Sequence, residues 1–403
     1  MTEFDALLAE YTDRGNPKVH GVICKCVDKN GNEIYNKIAG YDSISPDASP
    51  LREDVVLKLG SATKLITSIA LLQCVDEGLI GLDDPLTDVL PEFESKSILT
   101  DVSGSNMTFE NSEVSITARH LLTHTSGLGY PFTHPLLRLR AEARRADPNY
   151  SQNYSYRVTE RYTMPLVFEP GTGWLYGCSL DWAGVVVSRL HDGISLGDYM
   201  VENIWKRLGL LAPFPCFNIA LHPEYNARAM QGVTRTPSGR LEPCDRWAFD
   251  NNEDQEGGSG LSCTAQDFVA VLADLVSETP KLLKPATIAE MFTPQLVPNS
   301  PSIKMLLGLR VAWDTVAGPV SEDRINHGLC GVLCTGSVPE IGQPKNVLAW
   351  GGASNIVWWV NRDNGVAGFF ATQQAPFGNP TVTSLVNAWK RDFWTRFGNV
   401  DRA

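Results

Sequence analysis

Two hydrophobic patterns dominate the first hundred residues. In "HGVICKCVD" (His20 to Asp28) and "NEIYNKIAGY" (Asn32 to Tyr41), β-branched residues flank the turn "KNGN", which predicts a β-hairpin. From Ser61 to Val75 the apolar positions Leu65, Ile66, Ile69, Ala70, Leu71, Leu72, Cys74 and Val75 cover every face of a helix. A helix apolar all round is a buried one, and Gly78 after Asp76 and Glu77 supplies its stop.

Beyond "LDDPLTDVLPEFES" the pattern changes to helices and long polar loops up to about Asp254, with "TDVSGSNMTFENSEVS" reading as a surface loop. Strands return in "HGLCGVLCTG", "NVLAWGG" and "SNIVWWVNRDNGVAGFFATQQ", the last a second hairpin across "RDNG". An amphipathic helix, "TVTSLVNAWKRDFWTRF", closes the pattern. Strands early and late with helices between predict an α/β (α+β) chain. Its sheet domain is expected to be discontinuous, 1–90 with 255–403, its mainly helical insertion to be 91–254, and any active site to lie at their interface.

Composition narrows the function classes. The chain has 403 residues, 43% hydrophobic and 20% charged, with a net charge of −12. Nothing in it resembles a basic stripe, so nucleic acid and anionic membrane are not expected partners. The N-terminal "MTEFDALLAEYTDRG" spaces acids through an amphipathic helix, unlike a signal peptide. No apolar run reaches the roughly 18–20 residues a membrane span needs, and the expected location is the cytosol. Nine scattered cysteines, an odd number, read as free thiols. Cys330 and Cys334 lack the companion ligands of a zinc site, so no metal is expected.

Lys64 is the anomaly in this pattern. It stands in the first turn of the buried helix, three residues after Ser61, which places both side chains on one face. The partial positive charge of a helix N-terminus and burial both favour the amine over the ammonium. An amine beside a hydroxyl can accept its proton and activate a serine nucleophile. On these four residues alone, Ser61 could equally be an N-cap and Lys64 a side chain that snorkels to water.

Three further stretches give context: "LLTHTSGL" (Leu121 to Leu128), "FEPGTGWLYGCSLDWAG" (Phe168 to Gly184) and "LAWGGASNIVWW" (Leu348 to Trp359). With "GSATK" they resemble the serine β-lactamase and penicillin-binding superfamily, in particular its class C and family VIII esterase branch and, from about residue 56 to 380, the fungal lovastatin-type acyltransferases. That resemblance implies an antiparallel sheet flanked by helices, with Ser61 as nucleophile, Lys64 as general base and Tyr176 as proton shuttle. It also implies an oxyanion hole formed by the backbone N–H groups of Ser61 and Ala353. No cofactor is implied.

Two departures from the family pattern bear on substrate. The third residue of the tyrosine motif, commonly Asn in β-lactamases and in contact there with the lysine, is Cys178 here, more a packing residue than a second nucleophile. Where lactamases place a cation for the drug's carboxylate, this chain has Trp350, followed by Gly351 and Gly352. An indole offers an apolar wall and no charge. Aromatic residues gather in these stretches, and Trp350, Tyr130 and Phe377, with Gly351, Gly352 and Cys178, are the expected substrate-binding residues.

Other motifs compete. "GISLG" (Gly193 to Gly197) matches a nucleophile elbow, but a helix precedes it and Ser195 forms a capping pair with Asp198. His124 looks like a triad histidine yet sits in a loop expected to shape the cleft, and His327 begins an expected strand near the third motif. The sequence thus points to serine-dependent acyl transfer from a small apolar ester or thioester, free or on a carrier protein, to an acceptor alcohol or water. Plain ester hydrolysis, β-lactam hydrolysis and a non-catalytic binding role stay open as alternatives, in that order.

Overall fold

The computed structural model describes residues 2–146, 157–244 and 254–398. Its main sheet has seven strands: β1 (Gly21–Asp28), β2 (Glu33–Gly40), β3 (Ile325–His327), β4 (Val332–Cys334), β5 (Val347–Gly352), β6 (Ile356–Asn361) and β7 (Val366–Ala371). Their order is β2-β1-β7-β6-β5-β4-β3, antiparallel at every pairing. The two expected hairpins form, with Gly31 (φ 79°) and Gly365 (φ 61°) taking the left-handed turn positions that a Cβ would strain. The early hairpin joins the late strands through β1 and β7, with Ile23 opposite Ala371. Among the described residues, none between 91 and 244 adds a strand to this sheet.

Every residue of β5, β6 and β7 is buried, because helices cover both faces of the sheet. On one face lies α4 (Ala265–Val276), whose Phe268 stacks on Phe369 at 4.7 Å between ring centroids. On the other lies α5 (Pro380–Phe397), where Trp389, Phe393 and Trp394 surround Trp359. The first helix, α1 (Glu3–Tyr11), starts at a capping box of Thr2 and Asp5 and packs against α5. The all-apolar segment forms α2 (Thr63–Asp76), buried from Thr63 through Cys74, and it packs against α3 (Ser179–Leu190).

Two expectations need correction. The "TDVSGSNMTFENSEVS" stretch is largely a β-hairpin, Ser97–Ser103 paired with Asn106–Asn111 and turned at Gly104 (φ 60°). Leu99, Val102 and Met107 hold it to a small satellite core with Leu137, Met164 and Leu175. Apart from Phe109 its exposed positions are polar, and they conceal the alternation. "HGLCGVLCTG" is also not one strand: the chain reverses at Leu329 to Gly331, where Cys330 has φ 91° and Gly328 N–H donates to Gly331 O at 2.8 Å. His327 therefore ends β3. Among the described residues no helix is long and apolar enough to cross a membrane, and none of the nine cysteines is in a disulfide.

Gly368 on β7 lies under the Trp359 indole, where a Cβ would fall 2.4 Å from two ring carbons. Gly368→Ala should lower the unfolding free energy by about 1–3 kcal/mol, the usual cost of overpacking, as read from urea denaturation. Unchanged stability would show that the indole has room to move aside.

Candidate active site

The segment that carries Ser61 enters through the short strand Val56–Lys58, which pairs with Ser262–Thr264. It then turns through a single 3₁₀ turn, Gly60–Ala62, into α2. This turn rests directly on the end of β5. A Cβ on Gly352 would lie 2.0 Å from Leu59 O, and one on Gly60 (φ 52°) would lie 3.1 Å from Ala353 N. The glycines let two backbones meet where any side chain would hold them apart.

The geometry removes the two structural alternatives that the sequence left open, Ser61 as an N-cap and Lys64 as a snorkelling side chain. Ala62 is the N-cap residue of α2 and the cap has no side-chain hydrogen bond, so Ser61 is not a cap. Lys64 is 1% exposed and does not snorkel. Its Nζ donates to Gly258 O at 2.8 Å, to Ser61 Oγ at 3.4 Å and to the Tyr130 hydroxyl at 3.4 Å. The Tyr176 hydroxyl donates to Ser61 Oγ at 2.5 Å, and the Tyr176 ring lies 4.8 Å from Lys64 Nζ. Ser61 and Tyr176 are part-exposed while Lys64 is buried, so the amine lies deeper than the two residues that carry the hydroxyls.

A carboxylate that the sequence reading did not single out stands at the back of this group. Asp181, in the first turn of α3, is wholly buried. Its Oδ2 accepts from the Tyr130 hydroxyl at 2.9 Å and its Oδ1 from Gly258 N–H at 2.9 Å. Burial and the nearby Glu256 carboxylate push its pKa up to about 6, against the opposing pull of Lys64 and the two hydrogen bonds. Tyr130 is held well above the usual phenol range by burial and by the Asp181 charge, so it remains an O–H donor. Glu256, also buried, pairs with Arg161 and accepts from Ser259 Oγ at 2.9 Å. The signal for Asp181 is present in "GCSLDWAGVVV", where one charge interrupts an apolar helix as Lys64 does in α2.

The expected pocket residues fare unequally. Trp350 is at the site, 5.5 Å from the Tyr176 ring and near His124 and His327. Gly351 sits beneath Ile356 O and Val316, again without room for a Cβ. Tyr130 stacks on Phe132 at 5.5 Å, but its hydroxyl belongs to the lysine's polar network. Phe377 follows a loop tied by Asn355, which donates to Gln374 O and Pro376 O, two residues beyond Ala353. Cys178 is a correction: it has no exposed surface, and its thiol points at Gly129 O, 3.8 Å away. It packs behind the site and cannot line it.

The competing motifs separate cleanly. Ser195 is the N-cap of the helix Leu196–Met200 and its side chain accepts from Asp198 N–H. His124 and His327 are buried, and burial pushes both below the usual imidazole range, His327 to about 4. Their rings pack around Trp174, Tyr176 and Trp350 as neutral aromatic walls.

An antiparallel sheet faced by helices, with an S-x-x-K turn seated on a Trp-Gly-Gly strand and met by a tyrosine hydroxyl, defines the β-lactamase/transpeptidase-like fold. The chain belongs to the beta-lactamase family, whose profile matches residues 8–386. It is 71% identical to acyltransferase calJ of Penicillium decumbens, with all of both chains covered. It is 33% identical to lovastatin esterase of Penicillium rubens, over 94% of this chain and 95% of that one. Simvastatin synthase (LovD) from Aspergillus terreus superposes with a TM-score of 0.87 at 29% identity, covering 98% of each chain. The protein is thus an enzyme of the acyltransferase and esterase group within this fold.

Half-buried Arg161 pairs with the buried Glu256 carboxylate, whose charge acts on Asp181. Arg161→Met should cost about 3 kcal/mol in urea unfolding, because it strands a buried carboxylate. Glu256→Gln in that background should restore part of the loss. If the double variant is no more stable than the single one, the stranded charge is not the cause.

Proposed function

We propose that this enzyme transfers acyl groups through a covalent intermediate on Ser61. The observation that carries the reading is the convergence on Ser61 Oγ of the Tyr176 hydroxyl at 2.5 Å and the Lys64 amine at 3.4 Å. Ser61 Oγ attacks the acyl carbonyl while its proton passes to Lys64, which for this step is an amine with its two N–H groups on Gly258 O and the Tyr130 hydroxyl and its lone pair turned to Ser61, and Tyr176 gives its proton to the departing alcohol or thiol. In the second half-reaction an acceptor alcohol attacks the acyl-enzyme and gives its proton to the Tyr176 oxygen, and Lys64 returns the first proton to Ser61. The N–H groups of Ser61 and Ala353 hold the developing oxyanion, each such donor contributing on the order of 10²–10³ in rate. The close seating of Gly60 against Ala353 supports that pairing.

The substrates follow from the wall and the relatives. Trp350 gives an apolar surface at the place of the lactamase cation. The relatives include proteins named monacolin J acid methylbutanoyltransferase and ML-236A carboxylate methylbutanoyltransferase. The reading is accordingly transfer of a short apolar acyl group, from an ester or thioester that a carrier protein can deliver, to the hydroxyl of a secondary metabolite in the cytosol. Hydrolysis is the second reading, favoured by the 33% identity to a lovastatin esterase. The two differ only in whether water reaches the acyl-enzyme.

The test is intact-mass analysis after incubation with acyl thioesters and p-nitrophenyl esters. The wild type should gain one acyl group, and Ser61→Ala none while remaining folded. An adduct of normal yield on Ser61→Ala would remove the nucleophile assignment.

Trp350 makes a separate prediction. The wild type should favour a neutral medium-chain ester over a carboxylate-bearing ester of equal size. Trp350→Lys should shift the ratio of their kcat/KM values toward the anionic ester by about tenfold or more, roughly 1.4 kcal/mol in the barrier. An unchanged ratio would show that the indole does not meet the substrate.

A further inference from the structure

The hydrogen bonds behind Ser61 close into a ring. Lys64 Nζ donates to Tyr130 OH, Tyr130 OH donates to Asp181 Oδ2, Gly258 N–H donates to Asp181 Oδ1, and Gly258 O accepts from Lys64 Nζ. Apart from Ser61 itself, both acceptors described for the lysine are therefore fixed by one carboxylate. The seat is tight: a Cβ on Gly258 would lie 2.5 Å from Asp181 Oδ2, and Thr67 Oγ1 of α2 anchors the same loop by donating to Gly257 O at 2.7 Å. The ring also answers the departure at Cys178. The residue that stands where β-lactamases commonly place a lysine-contacting Asn has turned its thiol to Gly129 O, and the Tyr130 hydroxyl contacts the lysine.

We propose that Asp181 is a positioning residue for acyl transfer, which holds Lys64 toward Ser61 through Tyr130 on one side and the Gly258 peptide on the other. The proposal rests on the serine-acylation reading above. The direction of each bond matters. An ionised Asp181 accepts from both Tyr130 and Gly258, which leaves the Tyr130 oxygen free to accept from the lysine and fixes the position of the residue whose carbonyl accepts the lysine's other N–H. A protonated Asp181 loses one of those acceptor sites, so Tyr130 reverses or swings away.

The groups that face Asp181 are Lys64 from α2, Tyr130 and Cys178 from the segments beside α3, Tyr162, and Glu256, the last paired with Arg161. Ionisation of Asp181 near pH 6 then gives the sign of the effect. Activity is full above this range, where the carboxylate is ionised, and falls as pH drops through it.

The test uses Asp181→Asn, which keeps the shape and removes the charge. Kinetics with a neutral p-nitrophenyl ester across about pH 5–9 are compared with the rate at which a fluorophosphonate labels Ser61, read by intact mass. In Asp181→Asn, kcat/KM and labelling should fall on the order of 10²-fold, the scale of a small misplacement of a catalytic group. The loss should lie in kcat with KM little changed, and the acidic limb near pH 6 should disappear. Tyr130→Phe should lose rate in the same direction, and the double variant should lose little more than Asp181→Asn alone, because both cut one chain.

Wild-type labelling with an Asp181→Asn variant of equal rate and unchanged limb would overturn the positioning role, as would full multiplication of the two losses in the double variant. If Asp181→Asn does not fold, Tyr130→Phe decides: slowed labelling supports the ring and wild-type labelling refutes it. A wild type that takes no label at Ser61 overturns the serine reading itself, which is a distinguishable result.

Discussion

A primary amine carried into an apolar core must find acceptors there, because a buried polar group without partners costs several kcal/mol. Much of the architecture around Lys64 answers that constraint. The loop at Gly257 and Gly258 turns its carbonyls toward α2, one taken by Thr67 and the other by Lys64. The packing of α3 against α2 then brings Asp181 within reach of the loop's N–H. Each of these groups would be unsatisfied alone, and together they form a network in which every member has a partner.

The same constraint explains why the site draws on distant parts of the chain. The sheet supplies a rigid edge at Gly352 and Ala353, the buried helix supplies the amine, and the segments from Tyr130 to Asp181 supply the hydroxyls and the carboxylate. None of these elements forms the constellation alone. Trp350 and the two neutral histidines complete an aromatic wall beside the part-exposed Tyr176. The Ser61 and Tyr176 hydroxyls therefore sit between an uncharged wall in front and a polar network behind.

Much of this was legible in the residues. Alternating and continuous apolar runs placed the sheet strands and α2, because those signals depend only on which faces are buried. The S-x-x-K spacing placed Ser61 and Lys64 one turn apart, as found. What the residues hid was local. The hairpin at Ser97–Asn111 has a mostly polar outer face, and "HGLCGVLCTG" conceals a reversal at Cys330 because its apolar residues continue through the turn. Asp181 escaped notice because its partners, Tyr130 and Gly258, are far from it in sequence, and one buried acid in a helix does not announce what it binds. Cys178 is wholly buried where its motif position suggested a lining role, since the direction of a side chain at a helix start depends on packing that no short motif encodes.

The contact between Gly60 and Gly352 has a consequence for the order of events in a growing chain. The turn that bears Ser61 is made early, and the strand on which it rests is made late. Long-range pairings of this kind are slow to form because the intervening loop must close first. A ribosome-bound chain that has emerged only as far as α4 already contains Ser61, Lys64, Tyr176 and Asp181, yet it lacks the surface that fixes their turn. The turn that bears Ser61 thus gains its seat only late in synthesis, after the helices that surround it have already been made.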